Sequence, residues 1–162
     1  MFRKGNKMKE LTMAGFFLLL IFIAQTDRKT MEIPDRYSLL LLIVGVISIK
    51  TMPGPALSER IAGMVSASGV LLLITWIVPG SFGGGDIKLL AAGGMLLGWK
   101  NSLVALFLAV LTGGIYGVIL LRTGRKSRKE HFAFGPFLCF GMGISVLWGE
   151  KILDWYLRIC GW

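Results

Sequence analysis

The chain has 162 residues, 54% of them hydrophobic, with a formal net charge of +9, two cysteines and one histidine. A mean hydropathy of +0.70 and long windows empty of charge exclude an ordinary soluble domain, which scatters Lys, Arg, Asp and Glu over its surface. The basic excess does not point to nucleic acid, because the aromatic residues lie inside the apolar segments rather than among the basic ones.

Anionic lipid headgroups are therefore the expected partner for that charge. Cys139 and Cys160 lack a CxxC spacing and, with a single histidine, cannot make a zinc site. They read as buried thiols, and neither a metal nor a cofactor is expected.

Taken in chain order, residues 11 to 26 form a first uncharged stretch between Glu10 and Asp27. Arg3, Lys4, Lys7 and Lys9 precede it in the manner of a signal peptide, but Ala24-Gln25-Thr26-Asp27 offers no small-x-small cleavage site, so a retained helix is expected. A polar loop from Arg28 to Arg36 leads to a second apolar run, Tyr37 to Ile49, closed by Pro53-Gly54-Pro55. Arg60 opens a third segment that ends near Pro79-Gly80. The fourth runs from Asp86 to Trp99, Lys100-Asn101 reads as a tight turn, and the fifth covers residues 101 to 121. After a basic loop, Arg122 to His131, a sixth segment runs from Phe132 to Gly149. The tail, Glu150 to Trp162, mixes charges with Trp155, Tyr156 and Trp162 as an interfacial helix does. The expected fold is an all-α integral membrane protein, with about six transmembrane helices in one bundle and a single membrane domain over residues 1 to 162.

Asp86 stands out because the 25 residues before it, 61 to 85, carry no charge. An ionisable group at the edge of a membrane segment is costly, and is a functional candidate for that reason. Two crossings separate it from Asp27, so both aspartates should lie on one membrane face rather than across about 30 Å of hydrocarbon. Two carboxylates held close together cannot both ionise easily and tend to share one proton. One can then activate water while the other hydrogen-bonds a carbonyl oxygen. Gly83, Gly84 and Gly85 would leave room for a substrate backbone and permit the φ values of a sharp turn, and Lys88 is a possible counter-charge to Asp86.

Plainer readings compete with each of these. Asp86 alone suits a helix N-cap as well as a reaction. Asp27 alone suits a boundary residue, Asp35 after Pro34 the cap of the second helix, and Glu32 a solvated loop. The basic loop suits a topology anchor, and His131 carries no specific indication. The glycine run is no phosphate loop, because Lys88 follows no glycine and precedes no Ser or Thr.

Three stretches together resemble the type IV prepilin peptidases, membrane aspartic proteases of the GxGD class. They are Asp27-Arg28 with Ile33-Pro34-Asp35, then Gly83-Gly84-Gly85-Asp86-Ile87-Lys88, then Phe134-Gly135-Pro136-Phe137-Leu138 with Gly141. The resemblance covers nearly the whole chain. It implies a catalytic pair at Asp27 and Asp86, with Asp35 outside it, and Pro136 in the first turn of the sixth helix near the site. It also implies prepilin or pseudopilin substrates, cleaved just before their hydrophobic helix at the cytoplasmic face of the cell membrane. Larger members carry an N-terminal region, often with CxxC motifs, linked to N-methylation. Without such a motif, the expectation here is peptidase activity alone, as in the short peptidases of tight-adherence (Flp-type) pili or archaeal preflagellins. Lys and Arg divide nine to nine between the two faces, so the cytoplasmic placement rests on the resemblance. Two other readings stay open at this level. One is a GxGD protease of the signal-peptide-peptidase type, in which a Tyr precedes the first aspartate where this chain has Thr26. The other is a non-enzymatic carrier or assembly subunit whose aspartates bind cations.

Overall fold

A computed structural model describes residues 2–123 and 132–161. Five helices occupy the described residues: α1 (Phe2–Thr30), α2 (Asp35–Thr51), α3 (Leu57–Ile77), α4 (Gly84–Arg122) and α5 (Gly135–Ile159). Four contain stretches long and apolar enough to cross a membrane, namely Lys7–Thr30, Leu57–Ile77, Gly84–Leu120 and Gly135–Ile159. Their outward surface is apolar: Phe22, Val65, Trp76 and Phe107 are all exposed, as side chains against lipid tails are. The protein is thus an all-α, multi-pass membrane protein.

The six expected segments appear as five continuous elements. The anticipated turn at Lys100-Asn101 is helical, and the fourth and fifth segments are one element, α4, interrupted at a single residue. That residue is Gly98, with φ 73° and ψ 171°, a conformation open essentially to glycine alone. The arms on either side run in opposite directions. Gly93 faces Met142 of α5, and further along Asn101 accepts a hydrogen bond from Ser145 (2.5 Å), while Ala105 meets Gly141 and Gly113 meets Phe134. The second arm therefore retraces α5 backwards, and the reversal falls at Gly98 rather than at Lys100-Asn101. The tail is no separate helix either, since α5 continues unbroken to Ile159.

Small residues bring the helices together. Gly63 of α3 lies against the backbone of Gly94 and Gly98, leaving no room for a Cβ, and Gly45 of α2 packs on Met95. Around these contacts Phe16, Leu20, Ile23, Leu41, Leu71, Leu89, Leu90, Leu138 and Met142 form one buried core. Arg60, expected to open the third segment, lies in the first turn of α3 and is only 2% exposed. Its Nε donates to the carbonyl of Pro55 (3.0 Å), and its Nη1 donates to Ser48 Oγ (2.6 Å) and the carbonyl of Met95 (3.0 Å). Met95 precedes the Gly98 break, where helical carbonyls lose their amide partners, so the guanidinium supplies one of the missing donors. This end of the bundle is opposite to the one that holds the aspartates. Most of the basic loop, with Arg125, Lys126, Arg128, Lys129 and His131, lies outside the described residues.

Candidate active site

Asp27 and Asp86 come from helices far apart in sequence and meet at one end of the bundle. Asp27 projects from the last turns of α1 and is 4% exposed; Asp86 lies in the first turn of α4 and is 8% exposed. Each carboxylate is held through its Oδ2 by one backbone amide at the start of a helix. Gly135, the first residue of α5, donates to Asp27 (2.8 Å), and Gly83, just before α4, donates to Asp86 (3.2 Å). Pro136 follows Gly135 in the first turn and has no N–H, so the amide of Gly135 is left to point at Asp27. Two positive helix ends thus face two carboxylates. Among the described residues no hydrogen bond falls on Oδ1 of either aspartate, leaving both atoms for water or substrate.

The proximity of the two sites follows from the residue between them. Ile33, in the loop joining α1 to α2, has its Cδ1 against Gly135 and its Cβ against Gly85. A Cβ built on either glycine would stand 3.0 Å from Ile33, and one on Gly135 only 2.6 Å from Asp27 Oδ2. Glycine is therefore required at 135 and favoured at 85 by close approach. The buried thiol of Cys139 lies one turn into α5 from Gly135.

The glycine run departs from expectation. None of Gly83, Gly84 and Gly85 adopts positive φ, which among the described residues falls to Gly80, Gly98, Gly161 and Met31. Gly84 has no neighbour that a side chain would meet, while Gly85 gives way to Ile33. The N-cap reading of Asp86 is partly realised, because its carboxylate reaches back to the amide of Gly83. It does so from inside the helix, while remaining beside Asp27. Lys88 is not the counter-charge of Asp86; its Nζ donates to both carboxylate oxygens of Asp35 (2.8 and 2.9 Å) on the exposed surface. Asp35 makes no cap bond, since Pro34 holds the cap position of α2.

Phe134 closes the site towards the second arm of α4. Its ring lies 4.9 Å from Phe82, which precedes the glycine run, and belongs to an aromatic cluster with Phe137, Tyr116 and Phe132. Among the described residues no group of three or more His, Cys, Asp or Glu is placed to hold a metal ion. Gly135 and Ile33 are the supporting residues that the sequence pattern did not single out for their contacts. The only sign of Gly135's role is its place before a first-turn proline.

Fold and site together define a multi-pass membrane protein with a paired-aspartate centre. Residues 14–118 match the Type IV leader peptidase family. The chain is 35% identical over 147 residues to the prepilin leader peptidase/N-methyltransferase of Bacillus subtilis, covering 89% of this chain and 58% of that protein. It is 33% identical over 148 residues to the protein of the same name from Legionella pneumophila, covering 86% and 50%. For the Pseudomonas aeruginosa protein of that name the identity is 32% over 157 residues, covering 91% and 54%. No solved structure matches. The chain belongs to the Type IV leader peptidase family, and it spans about half the length of the curated relatives it matches.

Proposed function

We propose that the chain is a membrane aspartic endopeptidase that removes the leader of type IV prepilin-like precursors, cutting just before their hydrophobic helix. The observation that carries this reading is the pair of buried carboxylates, Asp27 and Asp86, anchored at two helix N-termini around Ile33. The relatives' names join two activities, and the aspartate pair supports the first. With one proton between them, the ionised aspartate takes a proton from water as its oxygen attacks the scissile carbonyl carbon. The protonated partner donates to the carbonyl oxygen. Collapse of the tetrahedral intermediate breaks the C–N bond, and the proton taken from water passes to the leaving amine. Gly135 and Gly83 act as positioning residues in this scheme, since their amides fix the carboxylates without touching substrate.

The substrates that fit are Flp-type prepilins or archaellin-like precursors, with the apolar helix in lipid and the leader junction unwound over the aspartates. The site then faces the cytoplasm, where prepilin leaders are cut. The test is cleavage of a purified prepilin-type precursor by the full chain in detergent, with the new N-terminus mapped by mass spectrometry. The proposal expects one cut before the hydrophobic helix, lost in Asp27→Asn and in Asp86→Asn and kept in Asp35→Asn. Cleavage that survives either of the first two substitutions overturns it.

A further inference from the structure

The end of the bundle opposite the aspartates holds a second polar site. A cavity of about 490 Å³ there is lined by Arg60, by Lys9 of α1, by Lys151 and Glu150 of α5, and by Asn101 of α4. Three cations face one acid. Arg60 is the unusual member, because a guanidinium that is 2% exposed would ordinarily be matched by a carboxylate. Here its partners are two carbonyls and one hydroxyl, and among the described residues no group accepts from Nη2. An anion in the cavity would answer it.

The cavity continues into apolar space. Leu147 and Trp148 line it and also line a groove of about 380 Å³ between α1 and α5. That groove passes Phe17, Leu20 and Gly143 to reach Ala24 and Pro136, beside the aspartates. A cationic pocket that opens into an apolar groove along the membrane-spanning helices has the two-part chemistry of a phospholipid. A soluble phosphate would need only the first part.

We propose that this chain binds one anionic phospholipid, with its phosphate at Arg60, Lys9 and Lys151 and an acyl chain in the α1–α5 groove. The choice of an anionic over a zwitterionic lipid follows from the excess of cations lining the cavity. The site is independent of peptidase activity, and its test reads binding alone.

The full chain, delipidated in a neutral detergent, is titrated with phosphatidylglycerol, with phosphatidylcholine of the same acyl chains, and with inorganic phosphate and glycerol 3-phosphate. Native mass spectrometry counts retained lipid and thermal unfolding reports stabilisation. The expected result is a single retained phosphatidylglycerol and a raised Tm, with no comparable effect of phosphatidylcholine or of either soluble phosphate. Lys9→Ala with Lys151→Ala, both at exposed positions, weakens that binding about thirtyfold. Lys50→Ala, an exposed lysine of α2 outside the cavity, leaves it unchanged. Equal stabilisation by soluble phosphate would reduce the site to an anion pocket and overturn the lipid assignment. Equal loss in Lys50→Ala would show diffuse surface attraction and overturn the site itself. Displacement of the lipid by an apolar helical peptide, with no charge dependence, would make the groove a helix-docking surface instead.

Discussion

Replacing Gly135 by alanine should separate a positioned aspartate from one that is merely present. The added Cβ would stand 2.6 Å from Asp27 Oδ2, 3.0 Å from its Cγ and 3.0 Å from Ile33 Cδ1, where ordinary contact begins near 3.4 Å. The carboxylate must withdraw by about 0.8 Å, and the 2.8 Å hydrogen bond from the Gly135 amide is lost or badly stretched. Gly135 is not in the left-handed region, so the backbone cost of alanine is limited to its helical position before Pro136, and the crowding at Asp27 adds to it. A hydrogen bond to a charged group contributes about 1.5–3 kcal/mol, which in a chain of this size lowers Tm by roughly 5 °C. A displacement approaching 1 Å in a reacting group costs about 100-fold in rate. Cleavage of a prepilin-type precursor should therefore fall about 100-fold in kcat, with KM little changed because Gly135 holds the aspartate rather than the substrate. Gly84→Ala is the internal control. It lies in the glycine run with open space around it, and should leave cleavage intact while stabilising by roughly 0.4–1 kcal/mol through the unfolded chain. Full activity in Gly135→Ala, or equal damage from Gly84→Ala, would refute the positioning role.

Gly98→Ala should destabilise the bundle by about 1–3 kcal/mol from backbone strain alone, and further because its Cβ would meet Pro55 Cγ at 2.8 Å; thermal unfolding in detergent measures this. Asp35→Ala or Lys88→Ala should cost less than about 1 kcal/mol, since the pair is exposed at the surface (side chains 74% and 58%), and should leave cleavage unchanged in the same assay. A maleimide should modify Cys160, which is exposed, and spare the buried Cys139 until the protein is unfolded, giving one labelled thiol by mass spectrometry.

The aspartates were legible in the sequence because charge is expensive in apolar segments and therefore conspicuous there. Their placement at one end of the bundle could be anticipated from counting crossings. The chain reverses at Gly98, one glycine among 22, and composition alone does not mark that glycine out from the others. The neighbouring Lys100-Asn101 looked like a turn on composition, yet it lies in the first turn of the helical arm that follows. Gly135 was hidden for another reason: its partner Asp27 is 108 residues away, and no local pattern encodes which carboxylate an N-terminal amide will meet. Arg60 marked the start of the third segment, and nothing in the sequence announced that it would be buried. Its burial depends on carbonyls delivered by Pro55 and Met95, residues whose convergence is a property of the packed helices. Lys88 was assigned by sequence distance to Asp86, and the folded chain hands it to Asp35 instead.

The claim that Asp27 and Asp86 act as one unit is tested most directly by cleavage with Asp27→Asn, Asp86→Asn and the double variant, each checked for folding by its thermal transition. The account predicts that either single substitution abolishes cleavage and that the double loses no more, because removing one half already removes the shared proton. Partial, additive losses in the single and double variants would mean that the two carboxylates act separately, and would contradict it.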